Sequence, residues 1–142
     1  MEKQDPTPNP TPAAPISASR SPHSKFLKGF TYAFDGLRYC FRTQVNFRVH
    51  LAITILALIL GIFLSLSWLE WALIATIIVL VLAAEMVNTM VESLVDLVTQ
   101  QYHPLAKTAK DVAAGVVLLT AIGAAAVGLL IFLPKLWAAF HL

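Results

Sequence analysis

The segment Trp71–Val98 reads WALIATIIVLVLAAEMVNTMVESLVDLV, and the fold follows from a contradiction inside it. Its first half carries no charge and suits the interior of a bilayer, whereas its second half carries Glu85, Asn88, Thr89, Glu92 and Asp96. At about 100° per residue, a helix places these five on one stripe, within an arc of roughly 100°. One acidic residue at the centre of a bilayer costs about 2.5–3.5 kcal/mol on insertion scales, so two or three cost about 5–10 kcal/mol before compensation. A stripe this expensive needs partners or a use.

Apolar runs lie on both sides of it. Between Arg48 and Glu70 there are 21 residues without a formal charge, including Leu51–Leu66, and Val112–Pro134 adds 23 more. At about 1.5 Å per residue each run spans the hydrocarbon core. The expected spans are thus about 50–68, 71–98 and 112–134, arranged up-down-up, with a turn and an interfacial tryptophan in Ser65–Glu70. Composition agrees: 58% of the 142 residues are hydrophobic, 13% are charged and the mean hydropathy is +0.74. A soluble domain carries about 25% charged residues, so a conventional soluble enzyme, a nucleic-acid module and a fully disordered regulator are excluded. A lone cysteine, Cys40, allows no disulfide within the chain and no multi-cysteine metal site.

Before the first span, Phe26, Phe30, Ala33, Phe34, Leu37, Phe41 and Val45 recur at spacings of three and four, with Lys28, Asp35, Arg38 and Arg42 between them. The spacing predicts an amphipathic helix over 25–48, lying in the interface with its basic side near lipid headgroups. Six of the eight prolines fall in the first 22 residues, and 1–24 is expected to be a disordered tail. The fold class is therefore an all-α membrane protein with an N-terminal surface helix and three transmembrane helices. Lys25, Lys28, Arg38, Arg42 and Arg48 precede the first span and Lys107 and Lys110 lie between the second and third, while the turn between the first two has no positive residue. That asymmetry puts the N-terminus and the second loop on the cytoplasmic side.

Glu92 and Asp96 approach that side, where Lys107, Lys110 and Asp111 also stand. Carboxylates, an amide and lysines at a cytoplasmic interface suit a magnesium-nucleotide site: Mg²⁺ takes one or two carboxylates plus phosphate oxygens, and lysine neutralises phosphate as a point charge. A carboxylate in apolar surroundings suits proton abstraction near neutral pH, and Glu85 is the deepest acid. On the residues alone the stripe also fits a proton or ion path through a small oligomer, or hydrogen-bonding glue between helices. Lys107 and Asp111 at i, i+4 also fit an ordinary helix pair, and His103 a plain loop residue.

The pattern Glu85-x-x-Asn88-Thr89-x-x-Glu92-x-x-x-Asp96, followed by Tyr102-His103 and Ala109-Lys110-Asp111-x-Ala113-Ala114-Gly115, resembles the signature of the small bacterial membrane lipid kinases, the diacylglycerol kinase and undecaprenol kinase family. The resemblance covers about residues 25–137. It owes nothing to the P-loop, since no glycine here stands in a Gly-Lys-Ser/Thr context. It implies phosphorylation of a membrane lipid alcohol by ATP with Mg²⁺ in the bacterial cell membrane, by a homotrimer whose sites form between subunits. Glu85 then matches the general base and Glu92 a metal carboxylate. Asn88, Glu92, Tyr102, His103, Lys110, Asp111 and, on the surface helix, Tyr32 match ATP contacts, with Asp96 a further polar site. Two positions depart from the pattern: Gln44 stands where much of the family has a metal-binding glutamate, and Gln101 replaces a common acid before Tyr-His. Asn46-x-Arg48-x-His50 and Leu133-Pro134-Lys135-Leu136-Trp137 resemble the undecaprenol kinase branch, so the expected reaction is undecaprenol to undecaprenyl phosphate, with diacylglycerol to phosphatidic acid as the alternative.

Overall fold

The computed structural model describes residues 22–140; the tail expected over 1–24 lies, up to residue 21, outside the described residues. Four α-helices follow: α1 Pro22–Thr43, α2 Val45–Phe63, α3 Trp68–Val98 and α4 Pro104–Phe140. The last three are long and apolar enough to cross a membrane, and no strand occurs among the described residues. The all-helical membrane class expected from the sequence is the one observed. By its contacts the chain divides within α1 into two units, Met1–Ala33 and Phe34–Leu142. In the first, Phe26 and Phe30 lie one turn apart and meet edge to face with ring centroids 5.2 Å apart.

Helix ends depart from the apolar runs for local reasons. Helix α1 begins at Pro22, since a proline's missing N–H is not needed at the first helical position. The helix expected to run to residue 48 stops at Thr43, because Gln44 is extended (φ −100°, ψ 116°). Neither glycine nor proline stands at this break. Arg48 compensates it instead, donating from one guanidinium nitrogen to the carbonyls of Phe41 and Arg42, which have lost their helical partners. Helix α2 therefore starts at Val45, earlier than the uncharged run.

Its far end closes in a Schellman arrangement. Ser65 takes a positive φ of 50°, its N–H bonds the carbonyl of Ile62, and the N–H of Leu66 bonds that of Gly61. One residue later a capping box starts α3: Ser67 Oγ accepts from the Glu70 N–H, and the Glu70 carboxylate accepts from the Ser67 N–H at 2.6 Å. Glu70 also meets Lys135 of α4 at 3.1 Å. Helix α4 opens at Pro104, eight residues before the charge-free run at Val112. Here His103 Nδ1 accepts the Leu105 N–H and the His103 carbonyl accepts that of Lys107. Pro134 does not end this helix; the chain stays helical to Phe140, past Lys135 and its partner Glu70.

Within the second unit α3 packs against both α2 and α4. The buried cluster of Leu66, Ile74 and Ile131 sits near the α2–α3 turn, with Trp71, Ile78 and Phe132 against it. At 1.5 Å per residue α2, α3 and α4 are about 28, 46 and 55 Å long, against a hydrocarbon core of about 30 Å. Since α2 and α3 are joined by a tight turn at one end, the surplus length of α3 emerges at the other. That end carries Glu92 and Asp96.

Gly61 is held by close approach: a Cβ there would lie 2.7 Å from the Trp71 ring. Gly61→Ala is expected to lower stability by about 1–3 kcal/mol through overpacking, read as a lower thermal unfolding midpoint in detergent. Adding Trp71→Leu should make the alanine cheaper than it is alone, and additive losses would show that the ring is not the obstacle.

Candidate active site

The polar stripe of α3 is turned inward. Glu85 is 1% exposed, and Asn88 and Thr89 are buried on the same face, so these groups avoid lipid and face neighbouring protein. Thr89 Oγ1 donates to the Glu85 carbonyl at 2.9 Å and Ser93 Oγ to that of Thr89 at 2.8 Å, which satisfies the hydroxyls within the helix. Asn88 Nδ2 donates to Glu92 Oε1 at 3.0 Å, so an amide orients the carboxylate one turn on. Among the described residues two buried acceptors have no donor: Glu85 Oε1 and Asn88 Oδ1. The nearest cationic candidate to the first is His50 of α2, with Nε2 at 3.5 Å.

A groove of about 500 Å³ runs between α2, α3 and α4. Ile53, Ala57, Val81, Ala124 and Phe132 are among its walls, and only His50 and Thr54 bring side-chain polar atoms to it. Val81 lies one turn before Glu85, so the buried acid stands just past the polar end of an apolar slot. Such a slot has the polarity of a hydrocarbon chain, and a carboxylate stands beyond its polar end.

At the α3–α4 loop a second cleft, about 280 Å³, is lined by Asp96, Tyr102, His103, Lys107, Lys110 and Asp111 among others. Lys110 Nζ meets Asp96 Oδ1 at 2.6 Å, and Lys107 pairs with Asp111. Asp96 is 61% and Lys110 38% exposed. Exposed pairs are worth only about 0–1 kcal/mol, so an entering phosphate can take over either ammonium at small cost.

The structure thus gathers the expected site residues into two groups on one face of α3. Glu85, Asn88 and Glu92 form the inner group; Asp96, Tyr102, His103, Lys110 and Asp111 share the outer cleft. Glu85 and Asp96, eleven positions apart, are separated along the axis by about 16 Å. Gln44 stands at the α1–α2 break as the N-cap residue of α2, its side chain making no capping hydrogen bond, and Tyr32 is exposed on α1. Among the described residues no three His, Cys, Asp or Glu side chains converge on a metal position. Glu92, bonded by Asn88 Nδ2, and the buried Asn88 Oδ1 bring oxygen atoms to the stripe between Glu85 and the cleft. Two features escaped the sequence pattern. His103 is engaged as the cap of α4. His50 faces Glu85; the sequence marked it only within Asn46-x-Arg48-x-His50, with nothing to link it to the acid.

Comparison with known proteins adds identity to this geometry. The family model for prokaryotic diacylglycerol kinase matches residues 31–132. The chain is 44% identical over 117 residues to an undecaprenol kinase of Bacillus subtilis, covering 82% of this chain and 95% of that protein. It is 46% identical over 111 residues to a diacylglycerol kinase of Synechocystis, covering 78% of this chain and 63% of that one. Against a diacylglycerol kinase of Escherichia coli it is 27% identical over 99 residues, covering 70% and 81%. With a buried acid beside an apolar groove, a lysine-bearing cleft on the same helix face and a family match over most of its length, the chain belongs to the prokaryotic diacylglycerol kinases and is a small multi-pass membrane lipid kinase that uses ATP.

Proposed function

We propose that this lipid kinase phosphorylates undecaprenol, with Glu85 as general base and the loop cleft as the nucleotide site. One observation carries the site assignment: Glu85 Oε1 is buried without a donor at the polar end of the apolar groove, while the lysines lie farther along the same face. The substrate assignment rests on similarity to the Bacillus subtilis undecaprenol kinase over 95% of its length, and on Asn46-x-Arg48-x-His50 and the Leu133–Trp137 segment. Diacylglycerol is the second reading, favoured by the names of the other relatives. The ion-path reading gives way to the family.

In the proposed reaction the lipid hydroxyl oxygen attacks the γ-phosphorus, the bond to the β,γ-bridging oxygen breaks, ADP leaves and the hydroxyl proton passes to Glu85. Most of the acceleration comes from positioning and charge neutralisation. Lys110 binds phosphate, Asp111, Tyr102 and His103 contact the nucleotide, and Asp96 sets the Lys110 ammonium. Glu92, oriented by Asn88, and the open Asn88 Oδ1 are oxygen donors suited to Mg²⁺, which supplies charge neutralisation on the phosphates when bound. Gln44 offers a neutral amide in place of a carboxylate, so a second metal there is weakly held. The assembly is a homotrimer in the bacterial cell membrane, with the N-terminus and the α3–α4 loop cytoplasmic.

In mixed micelles with labelled ATP and Mg²⁺, label is expected to enter undecaprenol faster than diacylglycerol; the reverse preference corrects the substrate alone. Glu85→Gln should lower transfer by about 10²–10⁴-fold with nucleotide binding intact, and parallel loss of ATP binding would remove Glu85 from the role of base. Glu92→Gln should raise the Mg²⁺ concentration needed for half-maximal rate about tenfold; an unchanged metal dependence would show that Glu92 is no ligand.

A further inference from the structure

We infer that His50 is a positioning residue for Glu85, and that its Nε2–H holds one carboxylate oxygen so that the other is free to take the proton of a hydroxyl arriving from the apolar groove. The inference rests on the reading of Glu85 as the base. His50 occupies a place no other side chain shares: it lines the groove between α2, α3 and α4, and its Nε2 stands 3.5 Å from Glu85 Oε1. Both side chains are withdrawn from solvent, at 19% and 2% exposure.

A buried acceptor left without a donor costs about 1–3 kcal/mol, and no other group relieves Glu85 Oε1. Among the described residues, His50 Nε2 is the side-chain nitrogen close enough to supply that donor, at 3.5 Å. Thr54, one turn on from His50, is the only other lining residue bringing a polar side-chain atom to the groove. A hydroxyl at the end of a hydrocarbon chain would therefore meet the imidazole as it reaches the carboxylate. The useful species is the neutral ring with its proton on Nε2, a donor to Oε1 that leaves the acid able to accept.

The test compares wild type, His50→Ala, His50→Gln and Glu85→Gln as full chains in mixed micelles with ATP, Mg²⁺ and the lipid that wild type phosphorylates, with elution profiles to confirm native assembly. A glutamine Nε2 can donate from nearly the imidazole's position, whereas alanine cannot donate. His50→Ala should lose about 10- to 100-fold in kcat through a misplaced base with KM for ATP and for lipid unchanged, and His50→Gln should recover most of the rate. Full turnover in His50→Ala, equal loss in both natively assembled His50 variants, or a loss confined to the lipid KM would each overturn the inference. Turnover that survives in Glu85→Gln would defeat the base reading itself. Loss in Glu85→Gln with full turnover in His50→Ala would defeat only the role of His50.

Discussion

The burial of Glu85, Asn88 and Thr89 on one face of α3 constrains the rest of the molecule. Within hydrocarbon such groups have no water to fall back on, so the helices that flank them must cover them. This gives α3 its central place, with α2 on one side and α4 on the other. Hydroxyls can be satisfied within a helix, as Thr89 and Ser93 are. The Asn88 amide donates to Glu92 one turn on, which still leaves Glu85 Oε1 and Asn88 Oδ1 buried without a donor among the described residues.

The two ends of α3 are built differently. At the α2–α3 turn, a Schellman closure, a capping box and the Glu70–Lys135 pair fix the helix start and tie it to α4. Apolar packing of Leu66, Ile74 and Ile131 stands beside them. At the opposite end, α3 and α4 are bridged by Asp96 and Lys110, an exposed pair beside a cleft. Exposed pairs hold weakly and exchange partners readily, so the molecule is pinned where no chemistry is proposed and open where a phosphate would enter.

In the proposed reading the groove joins these ends to the lipid. Its walls are aliphatic and aromatic, its polar side chains are His50 and Thr54, and the acid lies just beyond. A chain alcohol entering such a slot is sorted by polarity: the hydrocarbon stays in the groove and the hydroxyl is delivered to the stripe. Diacylglycerol and a polyprenol both satisfy this description, which is why substrate choice rests on similarity to relatives.

The sequence by itself determined the membrane class, the three spans and the acidic stripe, because hydrophobic length and a 3.6-residue period are local properties of the chain. The family signature was legible for the same reason, since its residues lie on one helix, the short loop after it and the start of the next. Helix ends were less legible. The break at Gln44 depends on Arg48 folding back onto carbonyls six and seven residues away, and α4 begins at Pro104 because His103 caps it, neither of which alters hydropathy. Only the tertiary structure decided that His50 meets Glu85, that Lys110 meets Asp96 and that an apolar groove ends beside the acid. Those contacts join helices whose relative rotation and register are set by packing, and no periodicity within a single helix encodes them.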